Sequence, residues 1–260
     1  MSFNEAFRNR IGLSKSEQLT IANLDKLLEK MARSIPFENF RIIKGTSEQI
    51  SKENLSEKIL EEKEGGLCYE LNPLLYYFLL ENGFRASLVR GEVFNHEKKE
   101  WSNIGRTHVA VIIHDQADDY LVDTGFGGNL PLKPVHMNGE TVTSRNGEYK
   151  VSPRETAYGD YVLEIKVKDK DPEMKVGYAF DSKPLTRIED EMNEIQHIIE
   201  THENSTFNKG PLAVKLLEEG SQTLTATSYT KWVHGEKTKE QLQPHDLTEL
   251  AEKEFGLQSP

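Results

Sequence analysis

The chain has 260 residues, a formal net charge of −11, and 36% hydrophobic against 29% charged residues. This balance predicts a soluble globular protein and argues against broad binding to nucleic acid or to an anionic membrane, which needs a basic face. The single cysteine excludes an internal disulfide and a cysteine-based structural zinc site. The first residues lack the apolar core of a signal peptide, and no apolar run approaches ~18 residues. We therefore expect a cytoplasmic protein that contacts neither membrane nor nucleic acid.

Apolar residues at helical spacing predict that the first third of the chain is helical. One helix has Ser16 or Thr20 as its candidate N-cap. It must end before Pro36, because proline pushes the preceding residue out of the α region. The two aromatic residues within 37–40 are interpreted as part of a polar turn, and a second helix is predicted to start at Ser51.

A segment with paired glycines and the lone cysteine, residues 65–72, follows these helices. The apolar run 74–80 predicts a buried helix that ends at a glycine cap, and Pro73 places its start near residues 69–72, because proline fits best in a first turn. Cys68 then lies at or just before a helix N-terminus, where unpaired N–H groups and the positive dipole end favour a thiolate, the nucleophilic form. The alternative is a small buried cysteine that happens to lie near a helix start.

The pattern changes at Arg85 to short β-branched and apolar runs, which predict a mostly antiparallel β region. Strand pieces are expected at 86–89, 92–94, 107–114, 120–123, 148–152 and 161–168. The last third is predicted to mix a helix carrying Ile188 to Ile199, short strands at 213–214 and 224–232, and a final helix that is capped by Asp246.

A thiolate nucleophile needs a nearby imidazole, and the imidazole needs an orienting carboxylate or amide. His108 opens the most apolar strand, and Asp123 ends its predicted hairpin partner. If paired positions in this hairpin sum to 233, the two residues are diagonal neighbours on one face, roughly 7–8 Å apart at Cα. A slip of one residue would put them on opposite faces. Cys68, His108 and Asp123 are therefore a candidate catalytic triad, with His114, at the solvent end of the strand, as the weaker candidate for the base.

Each of these residues also has a structural interpretation: a strand-end histidine satisfied by backbone, and an aspartate that starts a turn. Metal binding is disfavoured, because the sequence has no H-x-x-x-H or C-x-x-C spacing. The glycine-rich segment 124–131 after Asp123 could bring backbone N–H groups to an oxyanion or a phosphate, although an ordinary β-turn is the default interpretation.

Four segments together resemble the arylamine N-acetyltransferase family, and the resemblance covers nearly the whole chain. They are Ile35-Pro36-Phe37-Glu38-Asn39, the cysteine segment 65–72, Thr107-His108 and Asp123-Thr124-Gly125-Phe126-Gly127-Gly128. The resemblance implies an α+β fold with a papain-like Cys-His-Asp arrangement. Its expected parts are a helical bundle with the nucleophile (1–84), an antiparallel β-barrel with the histidine and aspartate (85–187), and an α/β lid (188–260).

The resemblance also implies a ping-pong reaction. Cys68 would take an acetyl group from acetyl-CoA and pass it to an arylamine, arylhydrazine or N-hydroxyarylamine. His108 would exchange the proton and Asp123 would fix its tautomer. No metal is implied. By similarity, Phe37 and Phe126 would wall the acceptor pocket. The implied CoA contacts are Gly105, Arg106, Thr107, Gly127, Gly128 and Thr206.

One position departs from the family pattern, which usually has an arginine before the paired glycines. This chain has Glu64 there, and the resemblance places it near a second carboxylate, Glu38. We expect the two to repel each other unless Lys63 or Arg41 supplies a cation, so Glu64→Arg is expected to stabilise the fold.

Two other classes of protein fit the residues. A papain-like or transglutaminase-like thiol amidase or peptidase uses the same Cys-His-Asp logic and would cleave a peptide substrate. A non-catalytic protein that binds CoA or an aromatic ligand would keep its binding in Cys68→Ala and form no acetylated intermediate.

Overall fold

The computed structural model describes residues 1–116, 118–243 and 245–260. The helices are α1 (Phe3–Ile11), α2 (Leu24–Ser34), α3 (Phe40–Lys44), α4 (Lys52–Leu55), α5 (Cys68–Glu81), α6 (Ile188–Thr201) and α7 (Asp246–Leu250). The strands are β1 (Phe37–Glu38), β2 (Arg85–Asn95), β3 (Glu100–Trp101), β4 (His108–Asp115), β5 (Asp118–Val122), β6 (Val135–His136), β7 (Thr141–Ser144), β8 (Gly147–Thr156), β9 (Gly159–Val167), β10 (Lys175–Phe180), β11 (Leu212–Leu217), β12 (Gly220–Thr225), β13 (Ser228–Val233) and β14 (Glu236–Gln241). Within residues 1–116, 118–243 and 245–260, no helix is both long and apolar enough to cross a membrane.

The N-terminal helices confirm the predicted helical third. Of the two candidate N-caps, Ser16 and Thr20, the helix follows Thr20: it begins there as a 3₁₀ turn and continues as α2, which ends at Ser34, ahead of Pro36. The second helix begins after Ser51, whose hydroxyl accepts a hydrogen bond from the backbone N–H of Asn54 at 3.1 Å. It is longer than α4 alone, because α4 continues as a π-helical segment over Ser56–Glu61.

Helix α5 confirms the buried helix after the paired glycines, with Cys68 as its first residue. It begins slightly earlier than predicted, so Pro73 lies in its second turn. The helix is almost entirely buried over its first two turns, which is why its apolar residues are continuous and follow no single stripe. The cysteine is thereby placed at a helix N-terminus inside the molecule.

The central strands form a nearly closed antiparallel β-barrel with the order β6-β5-β4-β2-β10-β9-β8-β7. The two ends of this sheet approach each other where β6 meets β8: the backbone N–H of Gly139, just after β6, donates to the carbonyl of Val151 in β8 at 2.9 Å. The two strand pieces predicted at 86–89 and 92–94 are one continuous strand, β2. The barrel places the start of β4 next to the N-terminus of α5.

Strand β4 is buried on both faces. Val109 and Val111 pack into the core of the helices, whereas Ala110 and Ile112 pack inside the barrel. This double burial explains why the strand is continuously apolar instead of alternating. Its pairing with β5 follows the predicted register, with Val111 opposite Val122. Ala117, which comes between these two strands in the sequence, lies outside the described residues.

A second sheet has the order β1-β11-β12-β13-β14. The prediction of a polar turn at 37–40 is wrong: Phe37 and Glu38 are buried and form β1, which pairs with Val214 and Ala213 of β11. The partner strand is distant in the sequence, and this long-range pairing outweighs the local turn propensity.

The C-terminal part combines this sheet with helices α6 and α7. Asp246 is the first residue of α7 and accepts a hydrogen bond from the N–H of Gln243, so the predicted N-cap at Asp246 is wrong. The helix continues as a π-helical segment and ends at Gly256 in a left-handed conformation. The boundaries at 84 and 187 stay a prediction.

Candidate active site

The sulfur of Cys68 lies where α5 begins, beside the first residues of β4. The residue is 7% exposed, and its thiol donates to the backbone carbonyl of Thr107 at 3.4 Å. The N–H groups of Cys68 and Tyr69 belong to the first turn of α5, where no earlier helical carbonyl can accept from them. The site therefore offers backbone donors and a positive dipole end next to the sulfur.

His108 and Asp123 meet as the sequence predicts. His108 is the first residue of β4, Asp123 directly follows β5, and Nε2 of the imidazole lies 2.8 Å from Oδ2 of the carboxylate. Both residues are at least 96% buried. His108 also contacts the side chain of Cys68. Because Nε2 faces Asp123, Nδ1 is the ring nitrogen left for the sulfur.

The carboxylate makes the imidazole a strong base. Burial alone would lower the pKa of His108, but the charge and hydrogen bond of Asp123 and the contact with Cys68 outweigh it and raise the pKa to about 10. Burial works to raise the pKa of Asp123, whereas His108, Asn72 and the N–H of Gly125 outweigh it and hold that pKa below its usual range. The imidazole can therefore keep a proton at neutral pH, and the thiol beside it is the group that can supply this proton.

Two further residues hold Asp123, and the sequence argument assigned a role to neither. Asn72 is fully buried; its amide donates to Oδ1 of Asp123 at 2.9 Å and its carbonyl oxygen accepts from the N–H of Thr124 at 2.9 Å. Tyr178, in β10, donates its hydroxyl to Oδ2 of Asp123 at 3.0 Å. Asn72 had a usable signal, since it lies four residues after Cys68 and hence on the same face of α5. Tyr178 comes from a distant strand and had none.

Gly125 leaves no space between its backbone and the nucleophile. A Cβ at this position would lie 2.5 Å from Cα and 2.8 Å from Cβ of Cys68. Its N–H donates to Oδ1 of Asp123 at 2.8 Å. The glycine therefore lets the segment after Asp123 pack directly on the start of α5.

Comparison with known proteins identifies the family. A family model described as N-acetyltransferase matches residues 20–259. The crystal structure of arylamine N-acetyltransferase C from Bacillus anthracis superposes with a TM-score of 0.93 at 39% identity, covering 98% of each chain. The chain belongs to the arylamine N-acetyltransferase family. It is thus an enzyme of the acyltransferase class. This excludes the two alternatives from the sequence, a thiol peptidase and a non-catalytic binding protein.

Two other relatives support this assignment. The uncharacterized acetyltransferase YvcN of Bacillus subtilis is 38% identical over 229 residues, which are 87% of this chain and 86% of that protein. The NAT3 arylamine N-acetyltransferase from Bacillus cereus superposes with a TM-score of 0.93 at 38% identity, covering 99% of each chain, and is described as having a unique Cys-His-Glu catalytic triad. In the present acetyltransferase, the carboxylate that is hydrogen-bonded to His108 belongs to an aspartate, Asp123.

The two aromatic residues predicted to wall the acceptor pocket both lie near the site of this acetyltransferase. The ring centroid of Phe126 is 5.1 Å from that of His108. Phe37 packs edge-on against Phe207 with centroids 5.7 Å apart, and a Cβ on Gly127 would lie 3.7 Å from its ring. Phe207 is an aromatic neighbour that the sequence argument did not identify.

The residues predicted to contact CoA lie in three places. Gly105, Arg106 and Thr107 form the segment that enters β4 at His108, with Gly105 and Arg106 at positive φ. Gly127 and Gly128 form a 3₁₀ turn after Phe126. Thr206 is exposed in the loop that follows α6. The structure brings the first two groups to the strand ends that carry His108 and Asp123.

Glu64 and Glu38, which were expected to repel each other unless a cation was supplied, each lie near a basic side chain. Arg41 pairs with Glu64, Nε to Oε2 at 2.6 Å, as one of the two expected cations. The lysine near Glu38 is Lys58, with Nζ 3.9 Å from Oε1, and Lys63 is exposed. Since Glu64 already has a partner, the reason for expecting Glu64→Arg to stabilise the fold does not hold.

His114, the weaker candidate for the base, lies in a different place. Its side chain is 31% exposed, Nδ1 lies 2.7 Å from Oδ1 of Asp119, and Nε2 contacts Oγ of Ser87. It lies at the end of β4 opposite to His108, away from the sulfur. Among the described residues, no group of three or more His, Cys, Asp or Glu side chains is arranged to hold a metal ion.

Proposed function

We propose that this acetyltransferase moves an acetyl group from acetyl-CoA, through a thioester on Cys68, to an arylamine, arylhydrazine or N-hydroxyarylamine. The observation that carries the proposal is the contact of Cys68 with an imidazole whose other side is fixed by Asp123 at 2.8 Å. This order of nucleophile, base and orienting carboxylate is the one that covalent acyl transfer needs.

In the first half-reaction, Cys68 acts as a thiolate and His108 holds the proton. Acetyl-CoA supplies the acetyl group as a thioester. A bond forms between the sulfur of Cys68 and the acetyl carbon, the bond to the departing sulfur breaks, and His108 gives its proton to that sulfur. The N–H groups in the first turn of α5 lie beside the sulfur and can stabilise the negative oxygen that develops.

In the second half-reaction, His108 acts as a base. It takes a proton from the attacking amine while the acetyl–sulfur bond breaks, so Cys68 again becomes a thiolate beside an imidazolium. Asp123 stays ionised and keeps the tautomer of His108 fixed, since its pKa is held below the usual range. Arylamines suit this step because their low basicity leaves the neutral nitrogen abundant at neutral pH.

The predicted CoA contacts fit a phosphate-bearing molecule near the strand ends. Nε of Arg106 is buried, and none of the described atoms accepts a hydrogen bond from it. We propose that Gly105, Arg106, Thr107, Gly127, Gly128 and Thr206 contact CoA, and that Phe37 and Phe126 line the acceptor pocket.

The test is the intact mass of the protein after exposure to acetyl-CoA without acceptor. We expect one added acetyl group, located on Cys68 by peptide mapping, absent in Cys68→Ala, and lost when an arylamine is added. A protein that stays unmodified while consuming both substrates would contradict the ping-pong reaction. Cleavage of a peptide substrate without acetylation would favour a thiol peptidase instead.

A further inference from the structure

Two buried carboxylates hold the loop that leads to the nucleophile. We define the nucleophile loop as residues 63–67. The N–H of Gly65 donates to Oε1 of Glu38 at 3.1 Å, and the N–H of Leu67 donates to Oε2 of Glu70 at 2.9 Å. Both glutamates are more than 90% buried. The loop therefore depends on two carboxyl groups that are removed from water.

The fit of this loop leaves little freedom for adjustment. A Cβ on Gly65 would lie 2.1 Å from the carbonyl oxygen of Pro36, and one on Gly66 would lie 2.9 Å from the side chain of Glu70. The N–H of Gly66 donates to the carbonyl of Pro36, and its carbonyl accepts from the N–H of Glu38. Because Cys68 directly follows this loop, a shift of the loop moves the sulfur.

Lys58 faces both carboxylates from the π-helical segment. It is 6% exposed, and its Nζ lies 2.5 Å from Oε1 of Glu70 and 3.9 Å from Oε1 of Glu38. Burial works to lower the pKa of Lys58, but Glu70 and Glu38 outweigh it and raise that pKa. Burial outweighs the charge of Lys58 and raises the pKa of Glu38. Without the ammonium, both buried carboxyl groups would lose their ionic partner, which is strongly unfavourable.

We propose that Lys58 is a positioning residue for acyl transfer: its ammonium holds the side chains of Glu70 and Glu38 in place, and these two side chains in turn fix the N–H groups that place Cys68. The proposal rests on the proposed function, because it takes Cys68 as the nucleophile. Lys58 touches neither the sulfur nor the reacting groups. It acts through the nucleophile loop, and a displacement of about 1 Å at a reacting atom can cost about 100-fold in rate.

Three variants test this role. Lys58→Met keeps the length of the side chain and removes the charge. Lys58→Met with Glu70→Gln restores the net charge of the cluster and leaves an amide oxygen to accept from the N–H of Leu67. Lys52→Met is the matched control, since Lys52 lies at the start of the same helical segment and pairs with Glu81 at 2.7 Å, away from the nucleophile loop.

The first measurement is the rate of alkylation of Cys68 by iodoacetamide at neutral pH, well below the melting temperature. We expect Lys58→Met to slow it about 10- to 100-fold, the double variant to recover to within about threefold of the wild type, and Lys52→Met to leave it unchanged. For Lys58→Met, we expect the single-turnover rate constant of acetylation to fall by a similar factor. We expect KM for acetyl-CoA to stay within twofold of the wild-type value.

The outcomes separate the two proposals. Wild-type alkylation rates in folded Lys58→Met would overturn the role of Lys58, as would a double variant that folds and reacts as slowly as the single one. If Lys58→Met does not fold, the double variant alone decides, and its failure to fold would also overturn charge compensation. Failure of wild-type Cys68 to become acetylated would instead refute the proposed function, and the alkylation result would still stand.

Discussion

Gly125→Ala tests whether the geometry at the start of α5 controls the reaction. An alanine Cβ would lie 2.5 Å from Cα of Cys68, 2.8 Å from its Cβ and 2.9 Å from Nδ2 of Asn72. Ordinary carbon–carbon contacts are about 3.5–4.0 Å, so the two segments must separate by roughly 1 Å. The backbone atoms of Cys68 are the nearest atoms, and no flexible side chain can absorb the overlap. We therefore expect the sulfur to be displaced from His108.

The size of the effect follows from this displacement. A misplacement of about 1 Å corresponds to a loss of about 100-fold in rate, or about 2.7 kcal/mol in activation free energy. Overpacking in a filled interior costs typically about 1–3 kcal/mol of stability, which most domains of this size survive. We expect a folded variant with a lower melting temperature and a first half-reaction slower by about two orders of magnitude.

The assay is stopped-flow or quenched-flow acetylation of Cys68 by acetyl-CoA, read by intact mass. Gly210→Ala is the matched control, because none of the described atoms lies within 4 Å of a Cβ built there. We expect the control to react at the wild-type rate. An acetylation rate for Gly125→Ala within threefold of wild type would refute the argument that this contact sets the position of the sulfur.

Three other predictions concern the charges of the site. Tyr178→Phe removes the hydroxyl that donates to Asp123 and keeps the ring. We expect the pKa of Asp123 to rise, so that the acid limb of the pH–rate profile of acetylation moves to higher pH. An unchanged acid limb would contradict this. The folded-state pKa of His108 is raised from 6.5 to about 10, so its contribution to stability is fully present below pH 6.5 and is lost as the pH rises through about 10. Urea unfolding from pH 6 to 10 should therefore show a steeper loss of stability in the wild type than in His108→Asn, and parallel curves would show that the pair is not coupled. Glu64→Arg replaces the 2.6 Å ion pair between Glu64 and Arg41 by two neighbouring guanidinium groups. We therefore expect a lower melting temperature, by roughly 2–4 °C for each kcal/mol of stability lost. A higher melting temperature would show that the ion pair contributes nothing to stability.

The sequence was sufficient for the features that depend on local pattern. Pro36, Ser51 and the apolar run after Pro73 bounded the helices, because proline and capping side chains act within one turn. The hairpin of His108 and Asp123 was predictable because a short turn between two apolar runs leaves few registers, and only one of them puts both side chains on one face. The four family-like segments then predicted the bundle and the barrel.

Features that depend on distant pairing were not predictable. Tyr178 reaches Asp123 only because β10 lies beside β2 and faces the barrel interior, and no local pattern indicates this. The sequence argument assigned no role to Lys58, because the burial of its ammonium depends on two glutamates that come from other elements. The strand at Phe37 was missed for a related reason: its partner, β11, lies near the other end of the chain.

The pairing of β1 with β11 has a consequence for the order in which the molecule is assembled. Glu38, which anchors the nucleophile loop, belongs to a strand that is completed only by residues such as Ala213. A partly synthesised polypeptide thus already contains its thiol, imidazole and aspartate but lacks the backbone partner of Glu38. The site can therefore be fully arranged only after β11 has been synthesised, and a shorter nascent fragment carries the reactive groups without this arrangement.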